Sequence, residues 1–329
     1  MPPPVLASLW RGAVREARVR GHVAVVDGRN RLVGAAGDPD VLTTVRSCVK
    51  PIQALPFVEH AARRLGASLA DIAIACSSHN GEDMHVDAVR RLLGLAGLDE
   101  TSLRCGPQLP MDEATGRRLL AAGGTPQPVH NNCSGKHAAM LATCAVAGWS
   151  LEGYMEPGHP CQQAVSAALA RLLERELTSA PWGIDGCGLP TYGVQLSSVA
   201  GAFARGDQAD LGFARCEAAM ASHPRLVAGT GRFDTALLQV AGSRVIAKGG
   251  AAGIWAAVVR GQGLGLAIKL EAGGGEAMAP IALAVLRRLG ALSDPLPAPL
   301  AGFAAPPRSN WAGTRVGEIR VEESALDGL

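Results

Sequence analysis

Lysine is scarce in this chain: of 31 basic residues only Lys50, Lys136, Lys248 and Lys269 are lysines, and the rest are arginines. A guanidinium stays charged, whereas an ammonium can lose its proton when desolvated. The four lysines therefore mark places where arginine would not serve. No charge of one sign prevails, since 29 acidic residues leave a net +2. Nothing in that balance points to nucleic acid or a membrane surface as partner. There is no C-x-x-C pair among the eight cysteines, so they read as reduced thiols of a cytoplasmic protein. No apolar run approaches the roughly 18–20 residues needed to span a bilayer. The opening Met-Pro-Pro-Pro leads into no signal-peptide core. Glycine and proline, 41 and 21 residues, are dispersed along the chain, which excludes collagen-like and low-complexity classes.

What remains is 329 residues, 48% of them hydrophobic, enough to bury a sizeable core. Residues 18–27 alternate into Asp27-Gly28-Arg29-Asn30 and on to Leu32 and Val33, a hairpin signal. Helical spacing runs through 52–65, where Pro56 should kink or delimit the helix. It returns at 84–95, 112–122, 137–147, 160–177, 197–204, 211–221 and 277–289. The apolar run 71–76 reads as a buried strand. Late strands at 244–247, 253–259 and 264–270 are separated by glycine-rich turns, which predicts an antiparallel meander. A Pro/Ala linker over 294–307 precedes a tail that would add an edge strand. Both chain ends feeding one antiparallel sheet, around a helical middle at about 84–222, predicts an α+β fold. The whole chain, 1–329, is expected to form one domain.

Five constellations carry chemistry. Arg46-Ser47-Cys48-Val49-Lys50-Pro51 contains an S-x-x-K. At i and i+3 on a helix the serine and lysine share a face, and a desolvated neutral lysine can take the hydroxyl proton that otherwise keeps serine a poor nucleophile. The alternative is an N-cap serine beside a solvated lysine. Ser77-Ser78-His79-Asn80-Gly81-Glu82 is a loop after a buried element, a common home for catalytic groups and also for ordinary turns. His130-Asn131-Asn132-Cys133-Ser134-Gly135-Lys136-His137 puts two of five asparagines and one lysine at the start of an alanine-rich helix, an arrangement suited to a carboxylate or metal site. Trp182-Gly183-Ile184-Asp185-Gly186-Cys187-Gly188-Leu189-Pro190 is a tight backbone presenting Asp185 and Cys187. Cys133 and Cys187 make only half of a tetrahedral zinc shell, and buried free cysteines are commonly inert. Ala247-Lys248-Gly249-Gly250 is similar to the K-T-G strand that partners S-x-x-K in serine β-lactamases, with its threonine missing. Lys269 alternates within a strand and reads as surface.

Taken together and in order, these motifs resemble the rhizobial-type, zinc-containing L-asparaginases of the bacterial L-asparaginase II family, over about Val14 to Val321. The resemblance implies a serine β-lactamase/glutaminase-like fold and a homodimer acting on L-asparagine. It implies two Ser–Lys pairs, Ser47 with Lys50 and Ser78 with Lys248; the choice of Ser78 over Ser77 is an alignment by eye. It implies one zinc per chain on Cys133, Lys136 and Cys187. Arg46, His137 and Asp185 would lie close to substrate or metal, and His79, Asn80, Glu82, Asn132 and Gly249 would complete the substrate site. The rivals are a glutaminase, esterase or β-lactamase-like acyl-serine hydrolase, and a non-catalytic zinc-stabilised binding protein.

Overall fold

A computed structural model describes residues 2–329. The chain forms two compact units. Among the described residues, the first comprises 2–48, 193–208 and 243–329; the second comprises 49–192 and 209–242.

The first unit is built on an eight-stranded sheet. Its order is Arg308–Ser309, Arg315–Val321, Val5–Arg11, Val14–Asp27, Leu264–Leu270, Ile254–Val259 and Val245–Gly249, with Leu32–Ala36 also pairing to Val14–Asp27. Every pairing is antiparallel. The hairpin and the late meander stand where the alternation placed them. The tail differs from expectation: Arg315–Val321 is interior, registered Leu9↔Ile319 against the first strand, and only the two-residue Arg308–Ser309 lies at the edge. The first strand carries no alternation to read, because Leu6, Ala7 and Ser8 are buried in succession and one of them is polar. Ile254–Val259, paired on both sides, is buried at every position, as a strand covered on both faces must be. Helix Leu196–Ala209 packs on the sheet where Gly265 sits, and a Cβ there would come within 1.8 Å of the Ala200 carbonyl oxygen. Lys269 is half-buried rather than on the surface, its ammonium donating to the carbonyls of Ala252 and Leu270.

The second unit is helical around Ser134–Ala147, buried from Ser134 to Cys144. Helices Leu69–Ala75, Asp83–Leu95, Glu113–Ala121, Pro160–Leu173, Leu211–Ser222 and Phe233–Ala241 belong to the same unit. The continuous pattern expected over 52–65 is broken: helix Lys50–Gln53 is followed by a wider π turn, Phe57–Ala61, because Pro56 has no N–H to donate. The expected strand at 71–76 is instead helix Leu69–Ala75. A short run buried on all sides carries no period to separate strand from helix. The deciding residues are polar: Ser68 and Asp71 form a reciprocal capping box. Asp71 is 1% exposed and accepts from the Ser68 N–H and hydroxyl, at 2.8 and 2.7 Å, and from Arg91 at 3.1 Å. Asp71→Ala strands three donors, so a loss of roughly 2 kcal/mol or more is expected. Urea unfolding measures it, and a loss under about 0.5 kcal/mol would remove the capping box from the reasons for this helix.

Candidate active site

Helix Leu69–Ala75 and helix Ser134–Ala147 meet at Gly135, where a Cβ would sit 2.1 Å from the Ile74 carbonyl oxygen. That approach sets the Ser77–Glu82 loop beside Asn131–Lys136. The His79 N–H donates to the Asn132 carbonyl at 3.2 Å. The His79 ring accepts the Gly81 N–H on Nδ1 at 3.1 Å, so the Nε2 proton is the one shared with Ser134 Oγ at 2.9 Å. It stacks on His85, centroids 4.9 Å apart. Burial, then His85 and Lys50, hold its pKa well below the usual histidine value. His79 is thus neutral, with both ring nitrogens engaged inside the protein.

Asn80 and Glu82 are engaged too. Asn80 donates to the Thr230 carbonyl at 3.1 Å and to Glu82 at 3.2 Å, and accepts from Arg232 at 3.0 Å. Glu82 accepts the Thr230 N–H and hydroxyl, both at 2.7 Å. Burial acts to raise the Glu82 carboxyl, but these bonds hold it below its ordinary value. Ser77 is fully buried, its hydroxyl donating to the Ile74 carbonyl at 2.7 Å. Ser78 is only half-buried.

Lys50 has no exposed surface. Its ammonium donates to the Ser77 carbonyl at 2.6 Å and to the Asn132 carbonyl at 3.4 Å. Burial lowers its pKa, and Cys133 and Cys187 only partly offset that. Beside it lie Cys133, Lys136 and Cys187. Lys136 Nζ is 3.3 Å from Cys187 Sγ, and Cys133 Sγ lies 2.9 Å from Asn132 Oδ1. The hydrogen bond from Cys187, then Lys50 and Lys136 against the cost of burial, pull the Cys133 thiol well below its ordinary pKa. Cys187 is pushed up by that same bond and by burial. Burial works against the Lys136 ammonium, yet Cys133, Cys187 and Asp185 outweigh it and raise its pKa. Asp185 opens the turn that presents Cys187: its N–H donates to the Leu189 carbonyl and its carbonyl accepts from Gly188, both at 2.8 Å, with Gly188 at φ +86°.

Two buried thiols and a buried amine set close together suit a zinc ion, which takes thiolate sulfur and nitrogen. Among the described residues no three His, Cys, Asp or Glu side chains converge, so a metal here depends on the Lys136 amine. His137 is fully buried, and its Nδ1 is 2.7 Å from the Tyr154 hydroxyl.

The remaining candidates belong to the first unit. Arg46, at φ +43°, enters the short 3-10 segment Arg46–Val49. A non-glycine residue there is strained, a condition that clusters at functional sites. Ser47 follows. Strand Val245–Gly249 ends alongside it: a Cβ on Gly250 would sit 3.0 and 3.3 Å from the backbone nitrogens of Cys48 and Ser47. Gly250 thus makes room for the Ser47 backbone. Lys248 is 1% exposed and donates to the Gly249 carbonyl at 2.6 Å. The Cys48 thiol is pushed up to about 12 by burial, against the opposing pull of Lys248. All eight cysteines are buried and unpaired by disulfide. Residues that sequence reasoning missed are Ser134, His85, Tyr154, Thr230 and Arg232. Only Tyr154 had a compositional signal, as one of two tyrosines.

The family model for L-asparaginase II matches residues 7–321. The chain belongs to the L-asparaginase II family and is an amidohydrolase acting on amide C–N bonds. No curated protein matches it. Among solved structures it is similar to a β-lactamase from Mycobacterium bovis, at 14% identity and TM-score 0.42, over 82% of this chain and 94% of that one. It is similar also to a protein described as a β-lactamase from Bacteroides dorei DSM 17855, at 15% identity and TM-score 0.42, over 81% and 93%. Among the described residues, no helix is long and apolar enough to cross a membrane.

Proposed function

We propose that the protein is an L-asparaginase, converting L-asparagine and water to L-aspartate and ammonia through an acyl-serine intermediate. The observation that carries the Ser–Lys reading is Lys50, a lysine with no exposed surface whose ammonium burial disfavours. Ser47 stands three residues earlier in the continuous helical run 46–53. A neutral Lys50 amine takes the Ser47 hydroxyl proton as Oγ attacks the side-chain amide carbon. The C–N bond then breaks, the nitrogen takes that proton, and ammonia leaves. Water attacks the resulting ester, which releases aspartate and returns the proton to Ser47. Backbone N–H groups of helix starts and turns stabilise the tetrahedral oxyanion. Ser78 and Lys248 serve as the second Ser–Lys pair on the family resemblance, relaying protons or assisting attack.

Cys133, Lys136 and Cys187 would hold one zinc. When bound, it would fix the orientation of the substrate more than it polarises it, because thiolates leave little Lewis acidity. The resemblance also makes the working form a homodimer, and eight reduced thiols suit the cytoplasm.

Ammonia release from L-asparagine and L-glutamine, run beside hydrolysis of a simple ester and a β-lactam, tests the reading. Asparagine is expected to have the highest kcat/KM, with glutamine lower by roughly 10–200-fold, the range for one methylene. Preference for another substrate would favour a different acyl-serine hydrolase. No turnover of any would favour a binding protein.

A further inference from the structure

We infer that Tyr154 is a positioning residue that fixes the tautomer of His137, holding its proton on Nε2 as a donor to an oxygen of the bound substrate. Tyr154 is 1% exposed, and its hydroxyl accepts the Arg104 N–H at 3.2 Å. The same oxygen lies 2.7 Å from His137 Nδ1. A phenol has a single proton to give. An amide N–H cannot accept it, so of these two neighbours only His137 Nδ1 can. The backbone of Arg104 thus orients the phenol, the phenol donates to Nδ1, and the imidazole proton is left on Nε2.

That Nε2 is buried and has no hydrogen-bond partner among the described residues. A stranded buried donor costs free energy unless something meets it. His79, bonded to Ser134 at the start of the helix that carries His137, shows the contrast: both of its nitrogens are engaged. The two lysines whose charges bear on His137 are Lys136 and Lys50, the groups assigned to zinc and to proton transfer. An acceptor arriving there is the substrate's carboxylate or amide oxygen. The inference rests on the asparaginase reading for that acceptor, but the tautomer itself does not.

Nitrogen-15 NMR of histidine-labelled protein, with His137 assigned by its loss in His137→Gln, reads the tautomer directly. The Nε2–H form is expected in the wild type and a mixture of tautomers in Tyr154→Phe. KM for asparagine should then rise about tenfold or more, with kcat changed less than about threefold, as for a lost hydrogen bond made equally in ground and transition states. Glutamine at position 137 carries its own N–H donor. Adding Tyr154→Phe to His137→Gln should therefore leave KM within about twofold. An Nδ1–H wild type would overturn the inference even if the phenylalanine variant failed to fold. So would an unchanged KM in Tyr154→Phe, or an equal KM rise in the glutamine background, which would make Tyr154 a packing residue. A wild type with the Nε2–H tautomer and no asparagine turnover would count against the substrate and leave Tyr154's hold on His137 standing.

Discussion

Lys50→Met is expected to lower kcat for asparagine by roughly 10²–10⁴-fold, the range for removing a general base, while the chain stays folded. Methionine nearly matches the aliphatic stem of lysine and brings no charge into a site with no exposed surface. Lys50→Arg should be as inactive, since a guanidinium cannot give up its proton. It is the harder variant to fold, because a longer, permanently charged group must fit where Lys50 lies 2.6 Å from the Ser77 carbonyl. Ammonia release measures the activity and thermal unfolding the fold. Only the deprotonated amine can act as base, so wild-type kcat/KM should rise with pH. Because burial lowers the Lys50 pKa from its ordinary 10.5, that rise should level off below 10.5. The same limb should be missing from whatever activity Lys50→Met retains. A folded methionine variant with wild-type turnover would take Lys50 out of proton transfer.

The parts of this protein that could be read from its sequence are those set by local pattern. The hairpin of Val14–Asp27 with Leu32–Ala36 and the meander from Val245 to Leu270 follow from alternation and turns. The helices from Asp83 to Ser222 follow from their spacing. Helix Leu69–Ala75 did not, because its apolar residues are buried on every side and only Ser68 and Asp71 mark its start. The site divides in the same way. Lysine rarity pointed to Lys50, Lys136 and Lys248, and all three are at most 2% exposed. The residues that hold the loops could not be found, because their partners are remote in the chain: Arg232 bonds Asn80 across 152 positions and Tyr154 bonds His137 across 17. Such pairings depend on tertiary packing that no local period records.

Purified without chelator, the protein is expected to carry about one zinc per chain, as a single structural or catalytic zinc site would. The metal-free charge state says how that zinc responds to pH. Cys133 is drawn toward the thiolate, Cys187 keeps its proton, and Lys136 keeps its own because the neighbouring thiols and Asp185 favour the ammonium. Three donors to one metal require both of those protons to leave. Binding should therefore weaken as pH falls, by up to about a hundredfold per unit while two protons compete. Cys133→Ser and Cys187→Ser should each lose the metal, since a serine hydroxyl does not replace a thiolate. Asparagine affinity should fall more than unfolding free energy in both variants, because the helix start at Ser134 is held independently, by Gly135 against Ile74 and by His79 on Ser134. Elemental analysis after zinc supplementation decides the first step. Less than roughly a tenth of an equivalent, against the tight binding of a matched donor set, would leave Lys136 and the two cysteines as a buried ion pair with a hydrogen-bonded thiol.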